Sequence, residues 1–241
     1  MNIADEIAND IPGERRTAEV ACTLLALLWA ALICLSVMST RSSAAEPSSI
    51  TLVAFGDSLS AGFMLPPSAA FPAQLQVALR AKGYKVDVVN AGVSGDTSGG
   101  GLQRLDWTLQ TGADGVILEL GANDALRGVE PRLTKDNLDK ILNFLKLKGV
   151  DVLLTGMKAP GNWGPEYQAT FDVLYPELAG KYAVPLYPFF LEGVLGESEL
   201  IMDDGLHPTE KGVAEIVKRI LPDAEALLKR ITQRKAAAGK S

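Results

Sequence analysis

Five short, mainly apolar runs rich in β-branched residues, at 50–55, 85–90, 115–120, 151–156 and 184–187, constrain this chain more than any other feature. Strands that are apolar on both faces belong to a parallel sheet covered by helices on both sides. The stretches between them fit that picture. Residues 71–82, 101–110, 133–148 and 166–181 carry apolar side chains at helical spacing, and 209–230 supplies one or two final helices divided at Pro222. No repeat or low-complexity linker interrupts the series, so residues 46–241 are expected to form one α/β domain. Right-handed crossovers then give a doubly wound sheet, which binds ligands beyond the carboxyl ends of its strands.

The segment before that domain has a different character. Residues 20–38 contain no charge, follow Arg15 and Arg16, and lead into a Ser- and Ala-rich stretch. This reads as an export signal over residues 1–45, with Ser43, Ala44 and Ala45 forming a small-residue cleavage site before Glu46. The alternative is an uncleaved anchor giving membrane association, because 19 uncharged residues approach the length of a spanning helix. Both readings put the folded part outside the cytoplasm, periplasmic or secreted. A twin-arginine route is disfavoured, since Thr17, Ala18 and Glu19 follow the arginine pair.

Composition removes several function classes. Lys plus Arg number 23 against 29 Asp plus Glu, a net charge of −6 with no basic run, so nucleic acid is not an expected partner. The only cysteines, Cys22 and Cys34, lie in the apolar segment, which leaves the domain without a thiol nucleophile, a disulfide framework or a Cys-ligated metal. One histidine, His207, must carry any proton shuttling near neutral pH.

Four turns at strand ends or beyond carry the chemistry. After the first strand, Gly56-Asp57-Ser58-Leu59-Ser60 presents Ser58 as a candidate nucleophile, although the same residues could only cap a helix. The turn does not match the G-x-S-x-G elbow of α/β-hydrolases, since Ser60 stands where that motif needs glycine. After the second, residues 90–98 hold small side chains whose backbone amides can approach an anion, with Gly92 and Gly95 as rival donors. Neither a Walker loop nor G-x-G-x-x-G fits Gly99, Gly100 and Gly101. After the third, Asn123 offers an uncharged amide suited to a developing oxyanion, or an ordinary Asx turn. Near the end, Asp204 and His207 are three residues apart across Gly205, so the carboxylate can hold Nδ1–H and free Nε2 to act as a base. Asp203 is the rival, but a neighbouring side chain in a tight turn points elsewhere.

Taken together these segments resemble the SGNH (GDSL-type) hydrolases, in particular the small secreted bacterial thioesterase, arylesterase and lysophospholipase branch. The likeness is carried by G-D-S-L-S-A-G at 56–62, N-A-G-V-S-G-D-T-S at 90–98, E-L-G-A-N-D-A-L-R-G at 119–128, V-P-L-Y-P-F-F at 184–190 and D-D-G-L-H-P at 203–208. It implies a flavodoxin-like three-layer αβα sandwich with a five-stranded parallel sheet. It also implies that Ser58 is the nucleophile, His207 the general base and Asp204 its orienting partner. Ser58 N–H, Gly95 N–H and the Asn123 side chain become the oxyanion hole, and Asp57 and Asp124 shape turns. Gly92 and Ala122 stand where relatives carry serine or glycine, and neither change removes a catalytic group.

The function so implied is hydrolysis of carboxylic esters and thioesters through an acyl-serine, with aryl esters, acyl-thioesters and lysophospholipids as small-molecule substrates. No cofactor or metal is expected, and the enzyme is expected to act as a monomer. Phe63, Met64, Leu65 and Leu126 are candidates to line the acyl site, and Trp163 to add a wall or to pack its own loop. Alternatives are a carbohydrate O-acetyl esterase of the same superfamily, a flavodoxin-like binding module and a metal hydrolase. The last is starved of ligands by one histidine and a cysteine-free domain.

Overall fold

The computed structural model describes residues 49–238. The expected export segment, residues 1–45, lies outside them. Five parallel strands, β1 (Ile50–Gly56), β2 (Val86–Gly92), β3 (Gly115–Glu119), β4 (Asp151–Thr155) and β5 (Leu186–Tyr187), pair in the order β2-β1-β3-β4-β5. This is the flavodoxin-like order, and its topological switch point lies between β1 and β3. The sheet and helices form the α/β architecture that the apolar runs predict.

Register places the site. Gly56, at the end of β1, pairs with Gly92 of β2 on one side and Glu119 of β3 on the other. Three turns therefore leave the sheet at one level, which brings Ser58, Gly95 and Asn123 to the same edge.

Helices α2 (Phe71–Ala81) and α8 (Glu210–Ala238) pack together on one face of the sheet. On the other face lie α3 (Ser98–Thr108), α5 (Pro131–Leu147) and α7 (Leu174–Tyr182). Between the layers Leu52, Phe55, Ile117, Leu118, Leu153 and Leu154 are fully buried, as the two-sided apolar character of the strands requires.

Several boundaries depart from the sequence expectation. The final helix runs through Pro222 as one element of 29 residues. Proline there removes a hydrogen bond to the Lys218 carbonyl, but Lys218 and Pro222 are both exposed, so water reaches the freed group. Val213, Ile216, Val217, Ile220, Ala224, Leu227, Leu228 and Ile231 form one buried face across the proline, and their packing outweighs the local cost. The stretch 166–181 splits instead, into α6 (Pro165–Asp172) and α7. Pro176 has no N–H for the Asp172 carbonyl, and the ladder breaks there. At the sheet edge β5 contracts to two residues behind Pro185, which cannot donate to a ladder. Two short helices, α1 (Ser58–Ala61) and α4 (Ala122–Leu126), had no periodicity long enough to betray them, and both carry site residues.

Candidate active site

The turn after β1 is built around Asp57. Its Oδ1 accepts the Leu59 N–H at 3.0 Å, which caps α1 and makes Ser58 the first residue of that helix. Four residues later Gly62 closes the helix in the left-handed region at φ 81°, its N–H bonded to the Ser58 carbonyl. Ser58 is thereby held between a strand end and a helix start, with its hydroxyl facing the loop that carries His207.

That loop folds on itself. Met202 N–H donates to the His207 carbonyl at 2.8 Å, and Gly205 takes φ 71°, a conformation that favours glycine. Asp204 Oδ1 accepts the backbone N–H groups of Leu206 and His207 at 2.9 and 3.0 Å, while Oδ2 lies 2.6 Å from His207 Nδ1. The His207 N–H is the largest of the influences that hold the Asp204 carboxyl down to about 2, followed by the imidazole and the Leu206 N–H. With Nδ1–H committed to Asp204, Nε2 faces Ser58 Oγ at 2.9 Å. Phe63 packs against the imidazole ring with centroids 4.4 Å apart, limiting its rotation.

On the opposite side of Ser58, α4 carries Asn123 in its first turn. The amide donates from Nδ2 to Asp57 Oδ2 at 3.0 Å. One carboxylate thus caps the helix that begins at Ser58 and orients the Asn123 amide. The rival glycines separate by what their amides do. Gly92 N–H donates to Asn90 Oδ1 at 3.0 Å, and a Cβ at Gly92 would fall 2.2 Å from Ala61 N, so this glycine lets α1 lie against β2. Gly95 takes φ 86°, and no acceptor among the described residues engages its N–H. Its carbonyl accepts from Arg127 Nη2 at 2.9 Å. Arg104 braces the same loop: Nε meets Asp96 Oδ2 at 2.6 Å and Nη2 donates to the Gly56 carbonyl at 2.9 Å.

Ser58, Asn123 and His207 open onto a cavity of about 420 Å³. Its walls include Leu126, Met157, Phe189, Leu191, Leu195 and Leu206, a mainly apolar lining that suits a hydrocarbon chain. Lys158 is the cation on this wall and lies over the Phe189 ring at 4.8 Å.

Residues 54–214 match the model of the GDSL-like Lipase/Acylhydrolase family. The chain belongs to this family. It is 43% identical over 183 residues to an arylesterase of Vibrio mimicus, covering 74% of this chain and 92% of the relative. It is 42% identical over 175 residues to the thioesterase 1/protease 1/lysophospholipase L1 of Escherichia coli K12, covering 72% and 81%. Among solved structures it resembles AlinE4, an SGNH-hydrolase family esterase, with 44% identity, a TM-score of 0.64, and coverage of 77% of this chain and 98% of that one. The resemblance drawn from the five motifs is therefore correct, and the protein is a hydrolase.

In this GDSL-like hydrolase the fold brings Ser58, His207, Asp204, Asn123 and Gly95 to one end of the sheet, and Asp204 rather than Asp203 meets the imidazole. The four acyl-site candidates do not stay together. Leu126 lines the cavity; Phe63, Met64 and Leu65 do not. Phe63 covers the imidazole, Met64 turns outward at φ 57° with 80% exposure, and Leu65 packs on the core, because the chain after Gly62 turns away from the cavity. Much of the cavity wall comes instead from Met157, Lys158, Ala159 and Pro160 and from Phe189, Leu191, Leu195 and Leu206, of which only Phe189 and Leu206 fall in a motif. Trp163 packs on neither the cavity nor its own loop alone: its Nε1 donates to the Ala125 carbonyl at 2.8 Å and its ring covers Gly128. Asp124 joins Ser98 N–H at 2.7 Å to the Thr134 hydroxyl at 3.0 Å and pins α3 to α5.

Two groups escaped the sequence reading. Asp57 does more than shape its turn, since it holds Asn123. Beneath it Glu119 is fully buried, and a glutamate inside the run Val116-Ile117-Leu118-Glu119-Leu120 was the available signal.

Proposed function

We propose that this hydrolase cleaves carboxylic esters and thioesters through an acyl-Ser58 intermediate. The observation that carries the reading is the unbroken contact from Asp204 to His207 to Ser58, at 2.6 and 2.9 Å, beside an apolar cavity. His207 Nε2 takes the hydroxyl proton as Ser58 Oγ attacks the carbonyl carbon, and Asp204 stabilises the imidazolium through Nδ1–H. The oxyanion lies against Ser58 N–H, Gly95 N–H and the Asn123 amide. The protonated imidazole then gives its proton to the leaving alcohol or thiol. Water, deprotonated by the same nitrogen, attacks the acyl-enzyme and releases the acid.

Aryl esters, acyl-thioesters and lysophospholipids of short to medium chain form the proposed substrate class, in keeping with the relatives' names and the apolar wall. That wall disfavours a carbohydrate esterase, which needs a polar groove. Ser58→Ala should lower kcat on nitrophenyl esters and acyl-CoA thioesters by about 10⁴-fold or more while the protein stays folded. Wild-type turnover in that variant would refute the assignment. Export, with cleavage before Glu46, is proposed from the Arg15-Arg16 pair, the uncharged stretch and the small residues after it. Mass spectrometry of the exported protein tests it, a retained N-terminus being the contrary result.

A further inference from the structure

Beneath the nucleophile turn sits a carboxyl group that neither the triad nor the oxyanion donors use. Glu119 ends β3 beside Gly56 and is fully buried. Its Oε2 accepts the Asp57 N–H at 3.2 Å and the Ser60 hydroxyl at 2.8 Å. Its Oε1, also buried, has no hydrogen-bond partner among the described residues as a carboxylate. The acid next to it is Asp57, itself fully buried, whose backbone N–H Glu119 already holds and whose charge acts on the Glu119 carboxyl.

Two ionised carboxylates so placed, out of water and without a cation, repel strongly. The surrounding charges do not relieve them. Arg104 is committed to Asp96 and the Gly56 carbonyl, Tyr175 donates its hydroxyl to the Leu120 carbonyl, and His207 is the smallest of the influences on Asp57. One proton shared between the acids removes the repulsion and gives Oε1 a partner.

We propose that Glu119 is a positioning residue: as a neutral carboxylic acid it donates to Asp57, and so holds the carboxylate that aims the Asn123 amide at the reacting carbonyl. The electrostatics agree in direction. Burial first, and the Asp57 charge second, push the Glu119 carboxyl well above its ordinary range. Asp57 Oδ2 is then free of competing protons and accepts from Asn123, while Oδ1 keeps the α1 cap. The inference rests on the oxyanion role proposed for Asn123.

Infrared spectroscopy of the purified protein at neutral pH should find a buried carboxylic-acid carbonyl stretch that Glu119→Gln abolishes. Its absence in the wild type, or its persistence in the variant, overturns the proposal whatever the substrate. Kinetically, Glu119→Ala should lower kcat about tenfold to a hundredfold with KM little changed, somewhat less than deleting an oxyanion donor. Glu119→Gln should recover most of that loss, because its amide donates to Asp57 and its carbonyl accepts from Asp57 N–H and Ser60. In an Asn123→Ala background the Glu119→Ala change should cost almost nothing further. Equal impairment by Gln and Ala, or full additivity with Asn123→Ala, refutes the positioning role. Should the alanine variant not fold, the glutamine variant and the infrared band still decide. An active Ser58→Ala would instead sink the catalytic reading and leave the infrared result standing.

Discussion

At the scale of single residues the site is a set of short polar contacts, each with a second contact behind it. His207 is oriented by Asp204, which is fixed by two backbone N–H groups; Asn123 is oriented by Asp57, which is fixed by the start of α1. Removal of the uncharged donor is the cleanest test of the oxyanion assignment: Asn123→Ala should reduce kcat about 10²–10³-fold with little change in KM, measured on a nitrophenyl ester. A loss confined to KM would argue that the amide only binds substrate. The buried acids also give stability a pH signature. Asp57 is pushed up to about 6 from its ordinary 3.8, chiefly by burial. It binds its proton more tightly folded than unfolded, so its contribution is fully present below about 3.8 and is lost as pH rises through about 6. Glu119 shifts in the same direction. Urea midpoints across that window should decline more for the wild type than for Asp57→Asn, and parallel curves would count against the buried ionisation. Asp204 has the opposite sign: its contribution is held above its ordinary 3.8 and lost as pH falls through about 2.

Elements place those residues, and here packing outweighs local preference. The four-residue α1 is too short to be stable alone, yet the Asp57 cap, the Gly62 stop and the close approach permitted by Gly92 hold it in place. In α8 the contest is between Pro222 and a continuous buried stripe. Because Pro222 is exposed and the helix persists through it, Pro222→Ala restores a hydrogen bond without disturbing the core. It should stabilise the protein by about 1–3 kcal/mol, read as a higher denaturant midpoint with unchanged ester hydrolysis. A lower midpoint would mean that the proline sets a bend on which the packing depends. The helix positions in the sequence were readable from their period, but the break at Val173 and the absence of a break at Pro222 were not, since both depend on where the freed carbonyls point.

For the whole molecule the decisive feature is the level at which three turns leave the sheet. The β2-β1-β3 order puts Ser58, the Gly95 amide and Asn123 side by side, and α8 returns the chain so that the loop before it can reach across to Ser58. The cavity is likewise a product of assembly, walled by loops after β3, β4 and β5. Leu195 is half-exposed on that wall. Leu195→Trp should narrow the space and shift the preferred acyl chain toward shorter esters, measured as kcat/KM across a graded series; an unchanged profile would place the acyl chain elsewhere.

Sequence alone determined the alternation of strands and helices, hence the parallel sheet and the end of it at which a site must lie, because two-sided burial and helical period are local patterns. It also singled out Ser58, Asn123, Asp204 and His207 as candidates, since each stands in a short turn whose residues are chemically distinctive, whereas the family resemblance was needed to prefer Gly95 over Gly92. Tertiary structure decided what fills the space around them. The cavity wall of Met157, Phe189 and Leu191 consists of ordinary apolar residues, and nothing in their local spacing distinguishes a side chain that lines a cavity from one that fills the core. The Asp57 and Glu119 pair is of the same kind: its members lie 62 positions apart, and only strand register brings one acid against another where water cannot separate them.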